Sequence, residues 1–251
     1  MGLRLLNDKP KFRPAALQEP PPHGYILLSA EVEPPTGRRP MPSTSPAKAA
    51  LLNRIGRLSF ALERHNAVRR ATVFQALLAP PPSGYATTVA RPARFDVTAL
   101  VETVTKDVIG EVEATEPFKN LVEELEATST RVNFMRARAA KHIGDVDPAQ
   151  PGVFLFNYFV GADIDVAFEL WDHLAGWYMT ETGLDNSTVL EPTTGSDFLF
   201  VNHARWNKSL TRLTLEQLVK PSFFTFVRAN LNANQTGAMP ILCRPVRTEA
   251  F

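Results

Sequence analysis

The sequence predicts an α+β fold: two tandem ferredoxin-like units, each βαββαβ, packed sheet to sheet into a barrel-like body. Three observations predict it. Strand-like and helix-like stretches recur in the same order in both halves of the 251-residue chain. The halves open alike, on Gly24-Tyr25-Ile26-Leu27-Leu28 and Gly152-Val153-Phe154-Leu155-Phe156. Between them runs Asp145 to Gly152, a stretch of Asp, Pro and Gly with the composition of a linker. A four-stranded sheet with helices on one face leaves the other face bare, and a second sheet covers it.

The division along the chain is an extended arm over 1–22, a first unit over 23–144 and a second over 153–247. Pro10 to Pro22 is proline-rich without helical periodicity, which makes the arm. In the first unit Tyr25 to Val32 reads as a strand and Pro34 to Pro46 as a loop. Ala47 to Asn66 follows as a helix with Leu51, Leu52, Ile55, Leu58 and Leu62 on one side. Ala71 to Leu78 and Phe95 to Val104 are strands, with Pro80-Pro81-Pro82-Ser83-Gly84 as a break between them. Pro117 to Thr128 is a helix and Val132 to Lys141 the last strand. The acidic stretch Glu111 to Glu126 reads as a solvated surface, not a paired-carboxylate site.

The second unit repeats the order. Val153 to Val160 is short, aromatic and β-branched, hence a strand. Asp163 to Thr182 is a helix whose stripe runs through Ala167, Leu170, Trp171, Leu174, Trp177 and Tyr178. Asp163 or Asp165 caps its start and Gly183 ends it. Asn186 to Pro192 and Phe198 to Trp206 are strands. A helical turn near Leu213 to Val219 precedes a helix from Pro221 to about Leu231, and Met239 to Val246 closes the unit. Asn230, Asn232 and Asn234 read as a cap and loop.

Composition narrows the class. A net charge of +1 and 44% hydrophobic residues describe a chain with a real core and no electrostatic reason to bind nucleic acid or an anionic membrane. Its single cysteine, Cys243, can form no internal disulfide. No clustered Cys or His spacing points to a metal, and no glycine-rich phosphate cradle points to a tightly held dinucleotide. Met1 to Lys11 lacks the apolar run of a signal peptide, so a cytoplasmic protein is expected.

The most informative segment is Phe198-Leu199-Phe200-Val201-Asn202-His203-Ala204-Arg205-Trp206. Side chains alternate across a strand, so Asn202 and Trp206 share a face, with Phe198, Phe200 and Ala204 beside them. An apolar face carrying an amide and an indole suits the wall of a pocket for a flat, oxygenated molecule. His203 points to the opposite face and is a barrel-lining residue.

Phe200-Val201-Asn202-His203-Ala204-Arg205-Trp206 resembles the strand motif of the antibiotic biosynthesis monooxygenases, of the dimeric α+β barrel superfamily. The helix Phe168 to Thr182, the strand ending Leu190-Glu191-Pro192 and Lys220-Pro221-Ser222-Phe223-Phe224 resemble that family's neighbouring elements. The resemblance covers about Val153 to Val246. In the first half Val101-Glu102-Thr103-Val104 stands where Asn and Trp would be expected, which implies a degenerate structural partner. The chain would then be an intrachain version of the dimeric barrel.

The resemblance implies a reaction. Anthrone oxygenases of this kind insert oxygen into polycyclic aromatic polyketides without a metal or bound organic cofactor. Their strand Asn and Trp hold substrate and oxygen intermediates, which assigns Asn202 and Trp206 as catalytic. Some members carry a further Tyr where this chain has Arg212. Larger tandem relatives open an angucycline ring, some with reduced flavin as a diffusible co-substrate. No tightly bound cofactor is implied.

Other residues join the candidate site on their own chemistry. Asn157 is an amide among aromatics in the first strand of this half and needs a partner. Trp177 and Phe224 belong to an aromatic load able to stack a planar substrate. Arg228, like Arg244, is a cation placed for a substrate anion. His173 lies between Trp171 and Trp177 and could act as a base or a haem ligand. The expected partners are an aromatic small molecule and O₂, with a homo-oligomer left open. A non-oxidative polyketide-binding or cyclase-like barrel and a haem protein of the same superfamily are the alternatives.

Overall fold

Strands whose side chains alternate between an inner and an outer core build one closed antiparallel barrel in the computed structural model, which describes residues 2–36, 40–88 and 91–246. Met1, residues 37–39 of the Pro34–Pro46 loop and position 247, the last of the second unit, lie outside the described residues. The first half supplies β1 (Gly24–Glu31), α1 (Pro46–Leu62), β2 (Val68–Leu78), the two-residue β3 (Ser83–Gly84), β4 (Val97–Thr103), α2 (Ile109–Glu113), α3 (Glu116–Thr128) and β5 (Arg131–Gly144). The second supplies β6 (Val153–Gly161), α4 (Ile164–Thr182), β7 (Ser187–Pro192), β8 (Phe200–Trp206), α5 (Leu210–Leu218), a π-helical turn (Phe223–Arg228), α6 (Ala229–Ala233) and β9 (Thr236–Pro245).

The spatial order is β2-β4-β1-β5-β7-β8-β6-β9, and β9 pairs back onto β2. Two facing sheets were expected; instead the sheets also join edge to edge. Ala137 to Gly144 of β5 pairs with Ser187 to Pro192 of β7, and Phe74 to Leu78 of β2 pairs with Leu242 to Pro245 of β9. Closure satisfies the backbone groups that four open sheet edges, two on each sheet, would leave bare.

Alternation then makes three cores. Inside the barrel lie Leu27, Phe74, Phe95, Phe154, Phe156 and Tyr158, among others. Outside, the first half packs Ile26, Leu28, Ala99 and Val101 beneath α1 and α3. The outer face of the second half carries Leu155, Phe159, Phe200, Ala204 and Trp206 beneath α4.

Local chemistry sets the ends of α4. Asp163 accepts from the backbone N–H groups of Asp165 and Val166, and Gly183 turns left-handed with φ of 68°. The helix from Pro221 differs from expectation, because its middle widens into the π-helical turn. Wide turns of this kind re-aim side chains and concentrate at functional sites.

The N-terminal arm is docked. Phe12 is buried against Phe226 with ring centroids 5.0 Å apart. Asn230 and Asn234, expected as cap and loop, grip its backbone: Leu6 N donates to Asn230 Oδ1 at 2.6 Å, and Asn230 Nδ2 donates back to Leu6 O at 2.9 Å. Asn234 repeats the exchange with Arg4 at 2.8 Å each way. Gly176 of α4 makes room for the arm, since a Cβ there would meet Arg13 O at 1.8 Å.

Candidate active site

The outer face of the second half does not close solid beneath its helices. A cavity of about 430 Å³ lies between the sheet and the helical layer, a size typical of small-molecule sites. Its floor is Leu155 and Asn157 of β6, Asn202 and Trp206 of β8, and Pro240 and Leu242 of β9. α4 supplies Trp171, Leu174 and Tyr178 as roof, while Phe224, Val227 and Arg228 of the π-helical turn line one side.

The first half contributes too. Pro80, Pro81, Pro82 and Ser83 form part of the wall. Ladder pairing explains their position. β9 pairs with β3 at Gly237 and Ala238 and with β2 from Leu242 onward. Pro240 sits in the gap between these ladders, where a missing N–H costs no partner. The Pro80–Pro82 run is the chain that leaves β2 and rejoins the sheet at β3. The sequence marked it as a break, and nothing local indicates which cavity it borders.

Asn157 and Asn202 are directly opposed in the β6–β8 ladder, so their amides share the floor. Ser187 Oγ donates to Asn202 Oδ1 at 2.6 Å. That bond orients the amide, and Asn202 Nδ2 has no protein partner among the described residues. Asn157 Oδ1 and Thr214 Oγ1, also in the wall, are buried without a partner. In the first half the matching ladder pair is Leu28 and Ala99, both buried in a filled core.

Trp206 is in the wall, but its N–H is not available. Nε1 donates to Thr182 Oγ1 at 2.8 Å, and that hydroxyl donates on to Tyr178 O at 2.6 Å. Trp206 therefore presents a ring surface to the cavity. The part that the resemblance implies for Trp206, holding substrate and oxygen intermediates, falls to its ring and not to its N–H, because the end of α4 lies within reach of the indole nitrogen. Trp177 is fully buried, donates to Ser222 Oγ at 3.1 Å and stands behind the cavity rather than lining it.

His173 does not line the cavity either, and its Nδ1 is buried without a partner. Its place on α4 faces away from Trp171 and Tyr178, which border the space. Phe198 also departs from expectation. It precedes the first paired residue of β8, so the alternation does not reach it, and it packs inside the barrel.

His203 lies inside the barrel as its parity requires. Its ring stacks on Phe156 at 4.3 Å, and its Nδ1 donates to Leu155 O at 3.0 Å. Burial pushes its pKa down to about 3, so it is a neutral packing group. The barrel interior is filled by such stacks and by the Ser29–Tyr158 hydroxyl pair at 2.7 Å.

Charge is confined to the mouth. Arg228 is exposed, with its guanidinium 5.9 Å from the ring centroid of Phe224. Among the described residues, no carboxylate, histidine or cysteine lines the cavity. Tyr178 is the one phenol there among the described residues, and burial pushes its pKa well above the ordinary value. It is therefore a neutral O–H through the physiological range. The helical stripe identified Tyr178 as apolar packing, but spacing could not show that its phenol borders an open space.

No family model and no curated protein matches the chain. Solved structures do. An anthrone oxidase-like protein superposes with a TM-score of 0.62 at 12% identity, over 92% of this chain and 97% of that one. A candidate monooxygenase from Fusobacterium nucleatum gives 0.53 at 8% identity, covering 90% and 94%. Another, from Lactobacillus acidophilus, gives 0.50 at 6% identity, covering 90% and 99%. At these identities the likeness establishes the fold, an α+β protein built on an antiparallel barrel.

Proposed function

We propose that the protein is a monooxygenase acting on a polycyclic aromatic polyketide of the anthrone, hydroquinone or angucycline type. The tandem is read as two ferredoxin-like units that replace a homodimer, with the arm over 1–22 and units over 23–144 and 153–247. One observation carries the functional reading: opposed amides, Asn157 and Asn202, lie on the floor of an apolar cavity whose roof and side are aromatic. The names of the structural neighbours are consistent with an oxidative enzyme.

The chemistry needs an electron-rich substrate. An anthrone loses a proton from its ring methylene to give a delocalised anion. The anion passes one electron to O₂, and the radical pair joins to form a C–O bond. Protonation gives a hydroperoxide, and loss of water from it leaves the quinone carbonyl. One O₂ is consumed and one water released per carbonyl, with no external reductant. Among the described residues no carboxylate or imidazole lines the cavity to take that proton, so it goes to solvent or its buffer base. The protein's part is to hold the ring against Phe224 and Trp206, exclude water and direct Asn202 Nδ2 at the developing oxyanion. Arg228 attracts an anionic substrate at the mouth. A ring-opening reaction would consume reduced flavin as a diffusing co-substrate.

A haem reading finds little support in these residues. Among the described residues no histidine, cysteine or methionine borders the cavity as an axial ligand, and burial holds the Tyr178 phenol protonated. The non-oxidative binding or cyclase-like alternative shares the same pocket. Oxygen uptake with an anthrone and an angucyclinone, with and without reduced flavin, separates the readings. Uptake matched by quinone formation is expected; substrate binding without uptake would favour the non-oxidative barrel.

A further inference from the structure

The second half contains three indoles, and two have committed their N–H within the protein. Trp177 donates to Ser222 and Trp206 to Thr182. Trp171 is 3% exposed and forms part of the cavity wall, yet its Nε1–H has no partner among the described residues. Unlike Asn157 Oδ1 and Thr214 Oγ1, which are sealed off without a partner, that N–H keeps accessible surface on a side chain that lines the cavity, so it is open to an acceptor held there. We propose that Trp171, not Trp206, is the indole donor to the bound substrate's oxygen. The inference rests on the oxygenase reading for the identity of that substrate.

Helix geometry supports the assignment. Trp171, Leu174, Ala175 and Tyr178 are spaced i, i+3, i+4 and i+7, one face of α4, and all four line the cavity. Opposite them on the floor is Asn202, with Nδ2 unpaired. The groups so gathered are an indole N–H, an amide N–H and a phenol O–H. All are neutral, and each can donate. The matching ligand oxygen is an acceptor, a ring carbonyl or the enolate or phenolate formed from it. Trp206 is excluded by Thr182, which ends α4 with its hydroxyl against the indole.

The test uses 2-hydroxyanthraquinone, whose visible band shifts when its phenol ionises. A donor to the ring oxygen favours the bound anion, so loss of that donor raises the pH at which the dye ionises. With Trp171→Phe, the bound dye should ionise about tenfold less readily than on the wild type. Trp206→Phe and Thr182→Val should leave its ionisation within about twofold. Should Trp171→Phe fail to fold, benzothienylalanine at position 171 keeps the ring shape and replaces N–H by sulfur; the same tenfold loss is expected. A dye that ionises alike on the wild type and these Trp171 variants, or a loss produced by Trp206→Phe instead, overturns the assignment and leaves the oxygenase reading standing. Loss at Trp171 together with no oxygen uptake on anthrones supports the donor and removes the oxygenase. If the wild type does not bind the dye, both fall.

Discussion

Asn202 is oriented from behind by a serine that has somewhere else to turn. Ser187 Oγ lies 2.6 Å from Asn202 Oδ1 and 3.2 Å from His203 O. Asn202→Ala therefore leaves the serine proton an acceptor and disturbs the fold little. The expected loss is in the reaction: kcat on an anthrone falls about a hundredfold, equivalent to ~3 kcal/mol of oxyanion stabilisation. Oxygen uptake and thermal unfolding measured on the same preparation check both halves of that expectation. His203, one residue on, carries a different consequence. The unfolded chain takes up its proton near 6.5, the folded protein only near 3. Between those values the unfolded state binds more protons, so stability falls as pH falls. Denaturant titrations from pH 7 to 4 should show that decline, and His203→Gln should flatten it. At this scale the sequence was legible where parity decides, as for Asn202 and His203. It was opaque where a distant partner decides: Thr182 removes the Trp206 donor, and nothing near Trp171 marks it as unpaired.

At the scale of elements, α4 is roof, anchor and socket at once. Its inner face borders the cavity, and Asp172 takes Lys141 of β5 at 2.6 Å. Gly176 admits the arm. Glycine inside a helix normally costs about 1 kcal/mol relative to alanine, yet here the arm's backbone occupies the place of a side chain. Gly176→Ala should therefore lower the thermal midpoint despite its better helix propensity, and should open residues 2–18 to limited proteolysis. An unchanged midpoint with a protected arm would contradict the close approach. Helix and strand positions were readable from periodicity because each element has one buried face. The docked arm was not, because its hold is made by backbone groups and by Asn230 and Asn234, which sequence marks only as polar. The π-helical turn was equally hidden, since nothing in the apolar spacing of 221–231 distinguishes it from an ordinary helix.

For the whole molecule, closure is the feature with the widest reach. The two edge ladders, β5–β7 and β2–β9, make the halves share one interior. All three tryptophans lie in the second half, whereas backbone signal comes from both. Fluorescence and far-ultraviolet circular dichroism should therefore report one coincident unfolding transition; separate midpoints would show that the halves melt independently. The order of strands and helices along the chain was legible from the sequence, because each element shows its own spacing of apolar residues. Edge-to-edge closure was not, since register between remote strands leaves no local trace. The same limit hid the Pro80–Pro82 wall, which the first half delivers to a cavity in the second. The most direct measurement is a crystal structure of the protein soaked with anthraquinone. The ring should lie between Asn202 and Phe224, with a quinone oxygen within hydrogen-bonding distance of Asn202 Nδ2. A ring bound elsewhere, or a cavity closed by rearranged side chains, would contradict the assignment of this space as the active site.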